Sequence, residues 1–149
     1  MRVSYPALFY YDESEKTKYF VTFPDFENSA TQGTDISDAM YMAADWLGGT
    51  VAYDIEHDID IPKPSPINAL SLVKNDPFKD DKDFKLEYDP EKSFISMVTV
   101  DLSEYLNGDT PIKKTLTIPK WADKIVHELN LNFSQTLTDA IMAHKITQG

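Results

Sequence analysis

The 38 residues from Ile112 to Gly149 combine strand-like alternation, a proline and two helix-like apolar periods. That is too short a segment to bury a core alone, since units this small need a disulfide, a metal or a partner chain. With no cysteine in the chain, the disulfide is ruled out, as are thiolate nucleophiles and cysteine metal sites. In Ile112-Lys113-Lys114-Thr115-Leu116-Thr117-Ile118, Leu116 and Ile118 fall on one face and Lys113, Thr115 and Thr117 on the other. Pro119 suits the first position of a helix whose buried side comprises Trp121, Ala122, Ile125, Val126 and Leu129. Asn130 or Asn132 ends that helix, and Ser134 caps a second one with Leu137, Ala140, Ile141 and Ile146 turned inward.

Pairing two copies resolves the shortage of core. An antiparallel two-stranded ribbon about a two-fold axis sets Leu116, Ile118, Trp121, Ile125, Leu129, Leu137 and Ile141 into a shared dimer core. It leaves Lys113, Thr115 and Thr117 pointing outward, where a ribbon of this width enters the major groove and meets base edges. The start of the second helix, at Phe133, Ser134 and Gln135, offers backbone amides to a DNA phosphate.

A net charge of −11 opposes nucleic-acid binding on average, but the charge is divided unevenly. The last 38 residues carry five Lys against three Asp or Glu, a net of +2, and the remainder carries −13. DNA therefore suits the tail, and a basic partner suits the body. No apolar run is long enough to cross a bilayer, and the first residues lack a signal-peptide pattern, so the expected location is the cytoplasm.

The body starts with a hairpin: Val3 to Tyr11 alternates, Asp12 to Lys16 turns (with Asp12, Glu13 and Glu15 as turn charges), and Lys18 to Phe23 alternates again. Pro6 lacks an amide, which places the first strand at the sheet's rim or interrupts it. A short strand at Ser29 to Gln32 ends at Gly33, and Thr34 or Asp35 caps a helix from Ile36 to about His57. Its inner face is Ile36, Met40, Ala43, Leu47 and Val51; Gly48 and Gly49 imply close packing or a bend. Pro62, Pro64 and Pro66 impose an extended segment, and a charged stretch at about 67–93 runs over the surface, with room for a hairpin from Phe84. Phe94 to Leu102 is the last strand of this α+β layer, a helical turn follows at Leu102 to Leu106, and Asn107-Gly108-Asp109 marks a boundary.

The tail resembles ribbon-helix-helix DNA-binding domains in its alternating strand, its Ile118-Pro119 junction and its Asn-x-Ser helix start. Tyr19 to Phe23, the Phe-Pro-Asp-Phe turn, Ala30-Thr31-Gln32-Gly33 and the helix at Ile36 to Ala44 resemble the HicB antitoxins of HicAB toxin-antitoxin systems. Glu27-Asn28 replaces the Pro-Gly common after that turn, and the 67–93 stretch is longer than the family pattern. The resemblance implies a degenerate ribonuclease-H-like β-β-β-α-β domain at 1–107 that binds a HicA-type toxin. It implies a DNA-binding and dimerisation domain at 110–149 acting on double-stranded promoter DNA as a homodimer or dimer of dimers. No catalytic residue, metal or cofactor is implied.

The run Asp54-x-Glu56-His57-Asp58-x-Asp60 tempts a metal-dependent nuclease reading, but its groups crowd within seven residues at a proline-bounded helix end, where contact of Asp54, Glu56 and Asp58 with a basic toxin is the better use. His127-Glu128 lacks the second histidine of a zinc-protease helix, so His127 and His144 read as surface side chains. The rival to an antitoxin is a stand-alone ribbon-helix-helix regulator with a sensing or protein-interaction domain in front.

Overall fold

The computed structural model describes residues 1–106 and 111–148, so the boundary expected at Asn107-Gly108-Asp109 lies outside the described residues. The elements run β1 (Arg2–Tyr11), β2 (Tyr19–Thr22), β3 (Thr31–Gly33), α1 (Ile36–Glu56), β4 (Phe94–Asp101), α2 (Lys120–Glu128) and α3 (Phe133–Gln148). Short 3-10 turns lie at Ile67–Ala69 and Leu102–Glu104. The strands form one antiparallel sheet in the order β3-β2-β1-β4.

β1 is therefore an inner strand, so of the two outcomes expected from Pro6, a place at the rim or an interruption, the rim is excluded. The physical reason is the difference in length between its neighbours. β4 pairs along Arg2 to Phe9, whereas β2 pairs only with Leu8 to Tyr11. Pro6 thus has a neighbouring strand on one flank only, and a strand interior that lacks one amide is tolerated where a ladder is incomplete.

Both faces of β1 are covered. Val3, Tyr5, Ala7, Phe9 and Tyr11 join Val21, Phe23, Val98, Val100 and Leu102 in a core closed by Ala39, Ala43, Leu47 and Val51 of α1. Each large apolar side chain fully buried there contributes about 1.5–3 kcal/mol. The inner face of α1 begins at Ala39; Ile36, expected to belong to it, is exposed because it precedes the turn that meets the sheet.

Pro6, Leu8 and Tyr10 are buried on the opposite face. The charged stretch accounts for part of this cover, so it is more than a surface excursion. Tyr10 donates its hydroxyl to the Leu72 carbonyl at 2.6 Å and meets the Tyr88 ring at 4.9 Å, while Phe20 meets Phe78 at 5.9 Å. Asp89 donates its amide to the Tyr11 carbonyl at 2.8 Å. Its few aromatic residues pack while its charges stay in water, so charge density concealed the role. The hairpin allowed from Phe84 does not form; residues 84–89 carry no strand.

Local chemistry fixes the connections. In the Phe-Pro-Asp-Phe turn, the buried Ser29 hydroxyl accepts the Phe23 amide at 2.7 Å and donates to the Phe23 carbonyl at 2.8 Å, with Asn28 at φ 56°. Asp35 caps α1 by accepting the Asp38 amide at 2.8 Å, and the Asp38 carboxylate accepts the amide of Thr34, the residue before the cap, at 2.8 Å. Gly33 is required by space, since a Cβ there would lie 2.3 Å from the Ala39 backbone nitrogen.

The neighbour at Gly33 is helix backbone and cannot rotate away. Gly33→Ala is expected to lower unfolding stability by about 1–3 kcal/mol, read from the urea midpoint at constant m-value; an unchanged midpoint would show that α1 can shift freely against β3.

Candidate functional site

The tail presents its apolar residues to solvent. Residues 111–119 pair with no strand of the sheet, and Lys113, Thr115 and Thr117 are exposed. The strand expected at 112–118 is not formed in the single chain. Leu116 is 51% exposed, Trp121 67% and Ile141 63%, and Ile125, Leu129 and Leu137 are exposed beside them; only Ile118 of the expected dimer core is half-buried.

Two capping assignments change. Pro119 is the N-cap of α2 and not its first helical residue, and it carries no side-chain cap bond. Asn132 caps the start of α3, accepting the Gln135 amide at 2.9 Å, in place of the expected Ser134. Of the three residues expected at a phosphate, Gln135 thus has its amide engaged, and Phe133 and Ser134 keep the first-turn position. Asn130 ends α2 as expected, at φ 50°, with the Leu131 amide bonded back to the Val126 carbonyl at 2.9 Å.

α3 also reaches the body. Met142 and Ile146 pack on the sheet-helix core, so Ile146 does not serve the tail's own interior as expected. Asp139 lies 3.5 Å from the Met1 amino group, which also meets Asp101 at 3.4 Å. Tyr105 leans on α1, where its ring would be 2.6 Å from a Cβ at Gly48, and its hydroxyl donates to Asp45 at 3.0 Å. This explains Gly48 by close packing.

The second surface is an acidic cleft of about 490 Å3, lined in part by Asp25, Glu27, Trp46, Asp54 and Asp60. No Lys, Arg or His is among its lining residues. The Asp25 carboxylate clamps the proline segment, accepting the Ser65 amide at 2.9 Å and hydroxyl at 2.5 Å. Phe23 stacks on Trp46 at 5.2 Å and supports the cleft wall. The Tyr5 hydroxyl, pushed up to about 12 by burial first and then by the Asp25 and Asp54 carboxylates, stays protonated and donates to the Pro62 carbonyl at 2.6 Å. Burial raises the Asp54 carboxyl above the ordinary range against a smaller lowering by His57.

Of the three acidic residues singled out in sequence, the cleft includes Asp54 only. Glu56 and Asp58 are exposed and lie outside its lining, because α1 ends at Glu56 and Asp58 turns the chain at φ 55°. Asp25, Glu27 and Trp46 were missed, because the fold brings them to the cleft from other segments, whereas Asp60 closes the acidic run that begins at Asp54 and reaches the same cleft. Among the described residues no group of three or more His, Asp or Glu is arranged to hold a metal ion. His127 lies 3.6 Å from Asp123 on the exposed surface of α2, and His144 is exposed on α3. No helix among the described residues is long and apolar enough to cross a membrane.

A sequence profile of HicB-like antitoxins of bacterial toxin-antitoxin systems matches residues 4–73. A chain from a toxin-antitoxin complex of Streptococcus pneumoniae is 65% identical, with 97% of this chain and 100% of that chain covered and a TM-score of 0.71. The chain belongs to the HicB-like antitoxin family. The antitoxin HicB of Burkholderia pseudomallei is 25% identical over 93% of this chain and 96% of its own, with a TM-score of 0.61. Antitoxin HicB3, at 17% identity and a TM-score of 0.51 over 93% of this chain and 95% of its own, shares the fold. Curated proteins give no match. This HicB-family chain is the antitoxin of a toxin-antitoxin system and not an enzyme, which removes the nuclease reading of Asp54 and Glu56.

The raised Asp54 carboxyl has a definite pH signature. A folded pKa above the unfolded value of about 3.8 means that protonation favours the folded state, and the penalty grows as pH rises through the folded value. Asp54→Asn is therefore expected to be more stable than the wild type at pH 7, with the difference closing below pH ~4. Urea melts at the two pH values check this; a difference independent of pH would assign it to something other than the charge.

Proposed function

We propose that this antitoxin binds and neutralises a small HicA-type mRNA-cleaving toxin through its front domain and represses its own operon through its tail. The front domain, at 1–107, is read as a degenerate ribonuclease-H-like fold, and the tail, at 110–149, as a ribbon-helix-helix module. The observation that carries the tail's role is the exposure of Leu116, Trp121, Ile125, Leu129, Leu137 and Ile141, with residues 111–119 pairing with no strand of the sheet. So many exposed large apolar side chains in one short segment call for a partner. A second copy supplies both the missing ribbon strand and the missing helices, giving a homodimer; toxin-linked dimers of dimers would place several ribbons on one operator.

In that dimer Lys113, Thr115 and Thr117 read bases in the major groove, and the α3 start at Phe133 and Ser134 holds a phosphate. Lys113 is the single cation on the reading face of each strand, so affinity relies on several ribbons acting together. Asp54, with Glu56 and Asp58 nearby in sequence, lies in the region assigned to the toxin, where the acidic body attracts a basic protein. The 65% identical relative comes from a toxin-antitoxin complex, which favours an antitoxin over a stand-alone regulator. The working place is the cytoplasm, where mRNA and promoter are both found.

Replacing Lys113, Thr115 and Thr117 together by Ala is expected to abolish binding to the operon's promoter in a mobility-shift assay. Dimer mass and toxin neutralisation should stay as in the wild type. Undiminished promoter affinity would take the ribbon out of its proposed place.

A further inference from the structure

β4 ends the sheet, and among the described residues β1 is its only strand partner. The Leu102 amide donates to the Met1 carbonyl at 2.9 Å, so in the register that opposes Arg2 to Asp101 the bonded positions of β4 are the even ones. Phe94, Ser96, Val98 and Val100 therefore turn their backbone groups towards β1, whereas Ile95, Met97 and Thr99 turn theirs away from it. No backbone group of the described residues meets those outward groups, and the Ser96 hydroxyl donates to the Met97 carbonyl at 3.0 Å. Met97 is 39% exposed, and Thr99 is exposed beside it.

An open edge is ordinarily blunted by shortness, a lysine, a proline or a bulge, because its unpaired backbone groups are a template for another strand. β3, at the other end of the sheet, follows that rule with three residues. β4 does not. It runs for eight residues, pairs with β1 one-to-one from Phe94 to Asp101 without a bulge, and carries neither charge nor proline from Phe94 to Val100.

The same sequence fits its own image. Met97 is the centre of the uncharged run, so an antiparallel copy turned about a two-fold axis at Met97 overlays that run wholly on itself. Met97 then exchanges both backbone bonds with Met97 of the copy, and Ile95 exchanges both with Thr99. On the face towards α1, Phe94 stands opposite Val100. The two Asp101 carboxylates fall at opposite ends of the ribbon, about 27 Å apart along it and well beyond the ~8 Å screening length. The exposed apolar tail already calls for a second copy, and tethering two chains raises the local concentration at which their edges meet.

We propose that the open edge of β4 pairs antiparallel with β4 of a second copy about Met97, joining two four-stranded sheets into one. The contact lies in the body, is additional to the tail interface and does not depend on the toxin.

The chain has no cysteine, so single introduced cysteines report the pairing directly. Full-length Met97→Cys and Thr99→Cys are compared under mild oxidation, and the linked species is followed on non-reducing gels. In the proposed register position 97 faces itself at a Cα separation of about 5.5 Å, within the disulfide range, whereas the two copies of position 99 lie about 14 Å apart. Met97→Cys is expected to link at least about tenfold faster than Thr99→Cys. Adding Thr99→Pro, which removes an amide facing away from β1, or Thr99→Lys, which charges the edge, should bring Met97→Cys down to the rate of Thr99→Cys. The urea midpoint of at least the Thr99→Lys variant should stay near that of the wild type, since Thr99 is exposed. The tail is unaltered in every variant, so a difference in rate belongs to the edge. Equal rates for the two cysteines overturn the pairing, and so does rapid linking of Met97→Cys that neither second substitution slows. Slow linking of Met97→Cys together with loss of toxin binding in Thr99→Lys overturns it in favour of a strand supplied by the toxin.

Discussion

The central strand β1 must be covered on two faces and paired on two edges, and most of the body is organised around that requirement. A ten-residue strand with Tyr5, Ala7, Leu8, Phe9 and Tyr10 essentially inaccessible cannot leave either side in water. α1 covers the odd positions. The even positions are covered partly by a stretch too charged to look like core, which contributes Tyr88 and the Leu72 carbonyl to Tyr10. The proline segment is held in place by Asp25 through Ser65, so the turn after β2 and the exit from α1 share one clamp. The acidic cleft lies at this junction, and its shape follows from the demands of the sheet.

Charge is separated between tail and body: the last 38 residues carry a net of +2 and the remainder −13. Carboxylates are crowded along α1 and around the cleft, where burial already disfavours the ionised form of Asp54.

Much of the fold was legible in sequence because periodicity reports burial directly. The odd positions of β1, the Ala43-Leu47-Val51 face of α1 and the Val98-Val100 face of β4 all follow from spacing. Capping also declares itself at Asp35 and Asn130, where side-chain chemistry or tolerance of positive φ is local. What escaped depended on distant partners. Pro6 left both a rim and an interruption open because the unequal reach of β2 and β4 is invisible from β1 itself. The cleft gathers Asp25, Glu27, Asp54 and Asp60 from separate segments, while Glu56 and Asp58, adjacent to Asp54 in sequence, diverge from it. Ser134 looked the better cap until Asn132, two residues earlier, took the bond.

The pairing of β1 with β4 joins residues about 90 positions apart, from Arg2 opposite Asp101 to Phe9 opposite Phe94. Closing so long a loop is entropically costly and slows folding relative to the local β1-β2 hairpin. During synthesis the first strand, nearly all apolar or aromatic, therefore waits with one edge open until residue 101 has cleared the ribosome. The sheet that supports α1 is complete only when most of the polypeptide has been made. A truncated translation product of this antitoxin would thus expose a sticky strand, and the interval between starting the chain and closing the sheet is set by β4.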